Sequence, residues 1–108
     1  MKLGLRGKSV LVLASSRGLG KAVAREFALA GAEVMITSRN EDKLQKTAGE
    51  LRELTGGKIN YYVCDVSKKE QLEALVAETV ARQGAIDVLV NNAGGPSAGR
   101  FDTLDDAA

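Results

Sequence analysis

Four short runs of Val, Ile, Leu, Met and Tyr alternate along this chain with three longer stretches of helical period, and glycines divide them. No other feature constrains the fold as tightly. The apolar runs fall at 9–14, 33–37, 59–63 and 86–90. They are nearly continuous, the pattern of strands covered on both faces. Between them, Leu19, Val23 and Phe27 recur at helical spacing, and Gly31 closes the segment. Leu44, Ala48 and Leu51 continue to Leu54 and stop at Gly56-Gly57, while Leu72, Leu75, Val76, Thr79 and Val80 end before Gly84. Each glycine stands where a left-handed residue ends a helix. Asn40 reads as an N-cap of the second helix. Ser67-Lys68-Lys69-Glu70 fits a capping box at the start of the third. The order β-α-β-α-β-α-β predicts an α/β fold with parallel strands and right-handed crossovers.

The 108 residues predict a single domain, and an apolar fraction of 44% supports a core. Fifteen basic residues against fourteen acidic give a net charge of +1. That balance offers no polyanion-binding surface and argues against a nucleic-acid partner. The single Cys64 admits no internal disulfide. With no signal peptide read at the start, the expected compartment is the reducing cytoplasm. The longest apolar runs fall far below the roughly 20 residues of a membrane span. The absence of histidine removes the commonest general base and, with one cysteine, leaves no zinc site.

The run from Val10 to Leu13 stops at a small turn, Ala14-Ser15-Ser16-Arg17-Gly18-Leu19-Gly20, that opens onto the first helical stretch. A strand feeding a glycine corner and a helix start presents free N–H groups to a phosphate. A Walker A loop is excluded, since Ser15 and Ala22 stand where its first glycine and its hydroxyl belong. The spacing Gly-x-Gly-x-x-Gly fails at Val23. What remains is Ala14-x-x-x-Gly18-x-Gly20.

That turn resembles the Gly-x-x-x-Gly-x-Gly turn of the short-chain dehydrogenase/reductase family, with Ala14 in place of the first glycine. Cys64-Asp65-Val66 after the third strand and Asn91-Asn92-Ala93-Gly94 after the fourth add to the likeness. It covers the whole chain, which corresponds to roughly the first half of such an enzyme. The resemblance implies a Rossmann-type three-layer sandwich, a parallel sheet of four strands in order 3-2-1-4, truncated after the fourth. Two helices then lie on one face and the third on the other. Residues 1–108 are expected to form one dinucleotide-binding domain, incomplete at its C-terminus.

In this reading Ser15, Ser16, Gly18, Leu19 and Gly20 seat the diphosphate, and the resemblance implies that Arg17, in the same turn, approaches a ribose 2′-phosphate. Alanine at position 14 is harmless where φ is negative and costs about a kilocalorie where it is positive. Ser38 and Arg39 end the second strand about 20 residues past the corner, where a ribose-recognising residue belongs. Thr37-Ser38-Arg39 offers no carboxylate for the ribose hydroxyl of NAD, and an arginine presents a planar fork to a 2′-phosphate. NADP is therefore expected rather than NAD. The resemblance implies that Asp65 accepts the adenine amino group beside the Val66 backbone, and that Asn92, Ala93 and Gly94 border the adenosine ribose, with Asn91 tying strands together.

The resemblance also implies a carbonyl–alcohol oxidoreductase, of the 3-oxoacyl thioester reductase or the sugar and polyol dehydrogenase kind. Its Tyr-x-x-x-Lys pair is absent here: Tyr61 and Tyr62 are followed four residues on by Asp65 and Val66. The chain alone is thus expected to transfer no hydride, with its catalytic residues lying beyond it. The fourth strand, left as an apolar edge, predicts a fragment of a longer enzyme or a homo-oligomer. Cys64 reads as a small buried residue. The rival reading is a non-catalytic nucleotide-binding module, a sensor or partner domain.

Overall fold

A computed structural model describes residues 4–13 and 18–91. Ala14, Ser15, Ser16, Arg17, Asn92, Ala93 and Gly94 lie outside the described residues. The elements are β1 (Ser9–Leu13), α1 (Gly18–Leu29), β2 (Glu33–Ser38), α2 (Glu41–Thr55), β3 (Ile59–Val63), α3 (Lys69–Gln83) and β4 (Val88–Asn91). All strands pair in parallel in the order β3-β2-β1-β4, as expected. The fold is therefore Rossmann-like.

The sheet has two apolar faces, and each β1 residue serves one of them. Val10 and Val12 join Val34, Ile36 and Ile59 beneath α1 and α2. Leu11, Leu13 and Met35 face the other way, with Cys64 and Leu75 of α3. Tyr61 and Tyr62 divide between the faces as neighbours on a strand must. The helices reach the first face through small residues: Ala24, Ala28 and Ala48 are fully or nearly fully buried. Val23 and Phe27, on the expected stripe of α1, are only partly buried against that cluster.

The helix ends follow sequence chemistry closely. The Asn40 side chain accepts from Lys43 N–H at 2.9 Å, capping α2. Gly31, Gly56 and Gly84 have φ of 96°, 66° and 87° and terminate the helices.

Five expectations are corrected. The capping box does not form: α3 starts at Lys69 after Lys68, and the Ser67 hydroxyl turns back to Asp65 instead. The α3 stripe is narrower than its periodicity implies, because only Leu75 and Thr79 are buried while Val76 and Val80 are exposed. Leu54 is 62% exposed at the end of α2, while Thr47, in the middle of the helix, is buried. The fourth strand begins at Val88 rather than at 86, since the Asp87 carboxylate is drawn aside to accept the Ser9 N–H. Strand β2 runs one residue further than expected, to Ser38, and the described part of β1 ends at Leu13.

Candidate nucleotide site

Parallel pairing delivers four strand ends, Leu13, Ser38, Val63 and Asn91, to one edge of the sheet. The described residues singled out from the sequence gather along that edge. Gly18, Leu19 and Gly20 form the first turn of α1, which carries no acidic side chain. A Cβ at Gly18 would meet nothing within 4 Å among the described residues. The partial positive charge of that terminus favours an anion.

Ser38 and Arg39 leave the end of β2, and Asp65 and Val66 follow β3. The two exits are stitched together. Cys64 N–H donates to the Ser38 carbonyl at 3.0 Å. Below it, the fully buried Thr37 donates its hydroxyl to the Tyr62 carbonyl at 2.6 Å and stands 3.3 Å from the Cys64 Sγ. Ser38 Oγ accepts the Asn40 N–H at 3.1 Å, which shapes the turn carrying Arg39. Arg39 is exposed, with no hydrogen bond or ion pair among the described residues.

Asp65 is held more tightly than its sequence position suggested. One carboxylate oxygen, Oδ1, accepts both the Ser67 N–H at 3.0 Å and the Ser67 hydroxyl at 2.6 Å. The Asp65 N–H donates to Gln71 Oε1 at 2.7 Å, and its carbonyl accepts from Lys68 N–H at 3.0 Å. The two bonds from Ser67 hold the carboxyl below its ordinary 3.8, against desolvation and with smaller help from Arg39 and Lys68. Asp65 is thus an ionised acceptor at neutral pH, its Oδ2 without a hydrogen-bond partner among the described residues.

Thr37 and Gln71 had not been singled out as site residues from the sequence, and Ser67 only as a helix cap. Ser67 stands two residues after Asp65, the spacing of an Asx turn, and that signal was legible. Gln71 reaches Asp65 only through the placement of α3, and no local pattern announces it. Tyr61 and Tyr62 are strand residues, and Cys64 is buried as expected.

Among the described residues no three potential metal ligands cluster, and no helix is long and apolar enough to cross a membrane. A cleft of about 360 Å³ opens at the opposite edge, lined by Arg6, Gly31, Glu33 and Lys58 among others. It lies at the amino ends of the strands, away from the residues of the carboxyl edge.

A doubly wound sheet with its polar groups gathered at the carboxyl edge defines the class of Rossmann-like proteins. Within that class, the chain belongs to the short-chain dehydrogenase/reductase family of oxidoreductases: the short chain dehydrogenase family model matches residues 8–108. A hexahydro-indene-carboxyl-CoA reductase of Mycobacterium tuberculosis is 46% identical over 91 residues, covering 83% of this chain and 35% of that protein. An actinorhodin polyketide ketoreductase solved with NADPH superposes with a TM-score of 0.78 at 41% identity, over 81% of this chain and 33% of its own. The L-sorbose reductase of Gluconobacter frateurii, solved with NADPH and L-sorbose, gives 0.82 at 36% identity, over 87% and 36%. The chain spans about a third of the length of these relatives.

Proposed function

We propose that this chain is the NADP(H)-binding portion of a short-chain oxidoreductase that interconverts a carbonyl and a secondary alcohol. One observation carries the reading: uncommitted Arg39 and the open Oδ2 of Asp65 stand on neighbouring strand exits of one edge. A guanidinium suits a 2′-phosphate, and an ionised single oxygen suits an exocyclic amino group. The donor set therefore fits a phosphorylated adenine dinucleotide. When bound, that cofactor supplies the hydride.

In this assignment Ser15, Ser16, Gly18, Leu19 and Gly20 receive the diphosphate, the N–H groups at the start of α1 facing it, and Arg17 approaches the 2′-phosphate. Ser38 and Arg39 hold the 2′-phosphate, with the Ser38 hydroxyl proton available because its oxygen already accepts from Asn40. Asp65 and the Val66 backbone take the adenine edge, while Asn92, Ala93 and Gly94 border its ribose. NADPH in the two solved neighbours supports the choice of cofactor. Residues 1–108 make one dinucleotide-binding domain, cytoplasmic, whose partners are the dinucleotide and, in the whole enzyme, a small carbonyl or alcohol. A proton-transferring Tyr-x-x-x-Lys belongs to residues past 108, so this chain alone turns over no substrate.

Leu89, 46% exposed on β4, which is an edge strand among the described residues, supports burial against further chain or against a second copy. Sedimentation of the 108-residue chain as a stable monomer at high concentration would count against the second copy.

Fluorescence titration with NADPH and NADH tests the cofactor assignment. NADPH is expected to bind at least about tenfold more tightly, and Arg39→Ala to remove most of that margin. Equal binding of the two cofactors, unchanged by Arg39→Ala, overturns it. A reading frame that stops at residue 109 would favour the non-catalytic module, whereas a downstream Tyr-x-x-x-Lys supports the enzyme.

A further inference from the structure

Asp65 uses three of its four polar groups internally. Its N–H goes to Gln71 Oε1, its carbonyl accepts from Lys68, and Oδ1 takes two donors from Ser67. Rotation of the carboxylate about Cβ–Cγ would sacrifice the 2.6 Å and 3.0 Å bonds at Oδ1 together. Oδ2 is consequently held in one direction. The Gln71 bond fixes the other end of the residue, because it anchors the peptide before Asp65 to the first turns of α3. Ser67 reaches Asp65 from the segment that leads into α3 and Gln71 from the helix's first turn, and neither needs the ligand to be in place.

We propose that Ser67 and Gln71 are positioning residues that aim the Asp65 carboxylate as a single-oxygen acceptor, and so set discrimination between a 6-amino and a 6-oxo purine at the nucleotide site. The inference rests on the proposed assignment of Asp65 to the adenine edge. A 6-amino group donates to Oδ2. A 6-oxo group turns an acceptor lone pair toward it, so a fixed carboxylate rejects the oxo base. A carboxylate free to rotate swings away and tolerates it. Preorganisation, rather than an extra contact with the ligand, is what these two side chains supply.

The test compares dissociation constants of the intact chain for NADPH and for its hypoxanthine analogue, in which oxygen replaces the 6-amino group. The ratio of the two constants is the readout, since general loosening of the fold weakens both ligands alike. The expected result is a preference for NADPH of about tenfold or more in the parent chain. That preference should fall severalfold in Ser67→Ala and in Gln71→Ala, and return in Ser67→Thr, which restores the hydroxyl. Preference over NADH, set at Arg39, should stay unchanged in all three. A parent preference that persists undiminished in both alanine variants overturns the positioning role and leaves the cofactor assignment standing. A parent chain that binds both purines equally overturns this inference and the adenine role of Asp65, but not the phosphate role of Arg39. A parent chain that binds no NADPH overturns both readings.

Discussion

Ser9 and Asp87 exchange hydrogen bonds: Ser9 N–H donates to Asp87 Oδ2 at 2.8 Å, and Asp87 N–H donates to the Ser9 carbonyl at 2.8 Å. The pair locks the start of β1 to the approach of β4, 78 residues on. Ser9 is buried, so its N–H has little access to water if the carboxylate is removed. Asp87→Ala should destabilise the chain by about 1–3 kcal/mol, the cost of a stranded donor. Asp87→Asn keeps an acceptor oxygen and should lose less. Urea melts of the three proteins check the order, and equal stability of all three would refute it.

Leu75 is fully buried between α3 and the sheet, whereas Val80, further along the same helix, is 43% exposed. Leu75→Ala should cost about 2–5 kcal/mol through lost transfer energy and a cavity. Val80→Ala should stay within about 0.5 kcal/mol. Thermal unfolding followed by circular dichroism separates the two.

Lys21 in α1 and Glu50 in α2 form an ion pair across the helices. Its hydrogen bond and charge, with a smaller contribution from Lys46, hold the Glu50 carboxyl below its ordinary 4.5. A carboxyl depressed in the native state stabilises fully above its unfolded value, and that contribution disappears as pH falls through the native one. Glu50→Gln should therefore lower the melting temperature at pH 7, modestly because both side chains are partly exposed. At a pH well below 4.5 variant and parent should melt together. A difference that persists in acid would assign the effect to something other than the ion pair.

Two glycines call for opposite outcomes. Gly31 has φ of 96°, and a Cβ there would approach Arg6 Cα to 3.2 Å. Gly31→Ala should cost about 1–2 kcal/mol. Gly49 lies inside α2, and a Cβ there would meet nothing within 4 Å among the described residues. Gly49→Ala should stabilise by about 0.5–1 kcal/mol, by lowering the backbone entropy lost on folding. Chemical denaturation of each single variant reads the sign directly.

The sheet and its helices were legible because periodicity and glycine placement are local properties. Ser38, Arg39 and Asp65 were legible as a group for a related reason: β2 and β3 are consecutive parallel neighbours paired to Ser38↔Val63, so the residues just past each strand emerge at the same edge. The widths of the apolar stripes were not legible. Val76, Val80 and Leu54 fit a helical period, but exposure depends on what the tertiary arrangement lays over them. The Ser67 hydroxyl had two partners within local reach, the N3 donor of a capping box and the Asp65 carboxylate. The charged acceptor won. Long-range amide contacts such as Gln71 to Asp65 leave no mark in a local pattern.

Gln83, at the other end of α3, donates through Nε2 to Ser9 Oγ at 2.7 Å and to the Glu33 carbonyl at 3.3 Å, while its Oε1 accepts from Asn60 at 2.9 Å. With Gln71 holding Asp65, one glutamine ties the start of this helix to the loop that leaves β3 and another ties its end to the sheet. Along its flank Val76 and Val80 remain loosely held. The helix is thus pinned at its two ends and seated between them through the buried Leu75. Its amide protons should exchange with solvent together, in one cooperative opening.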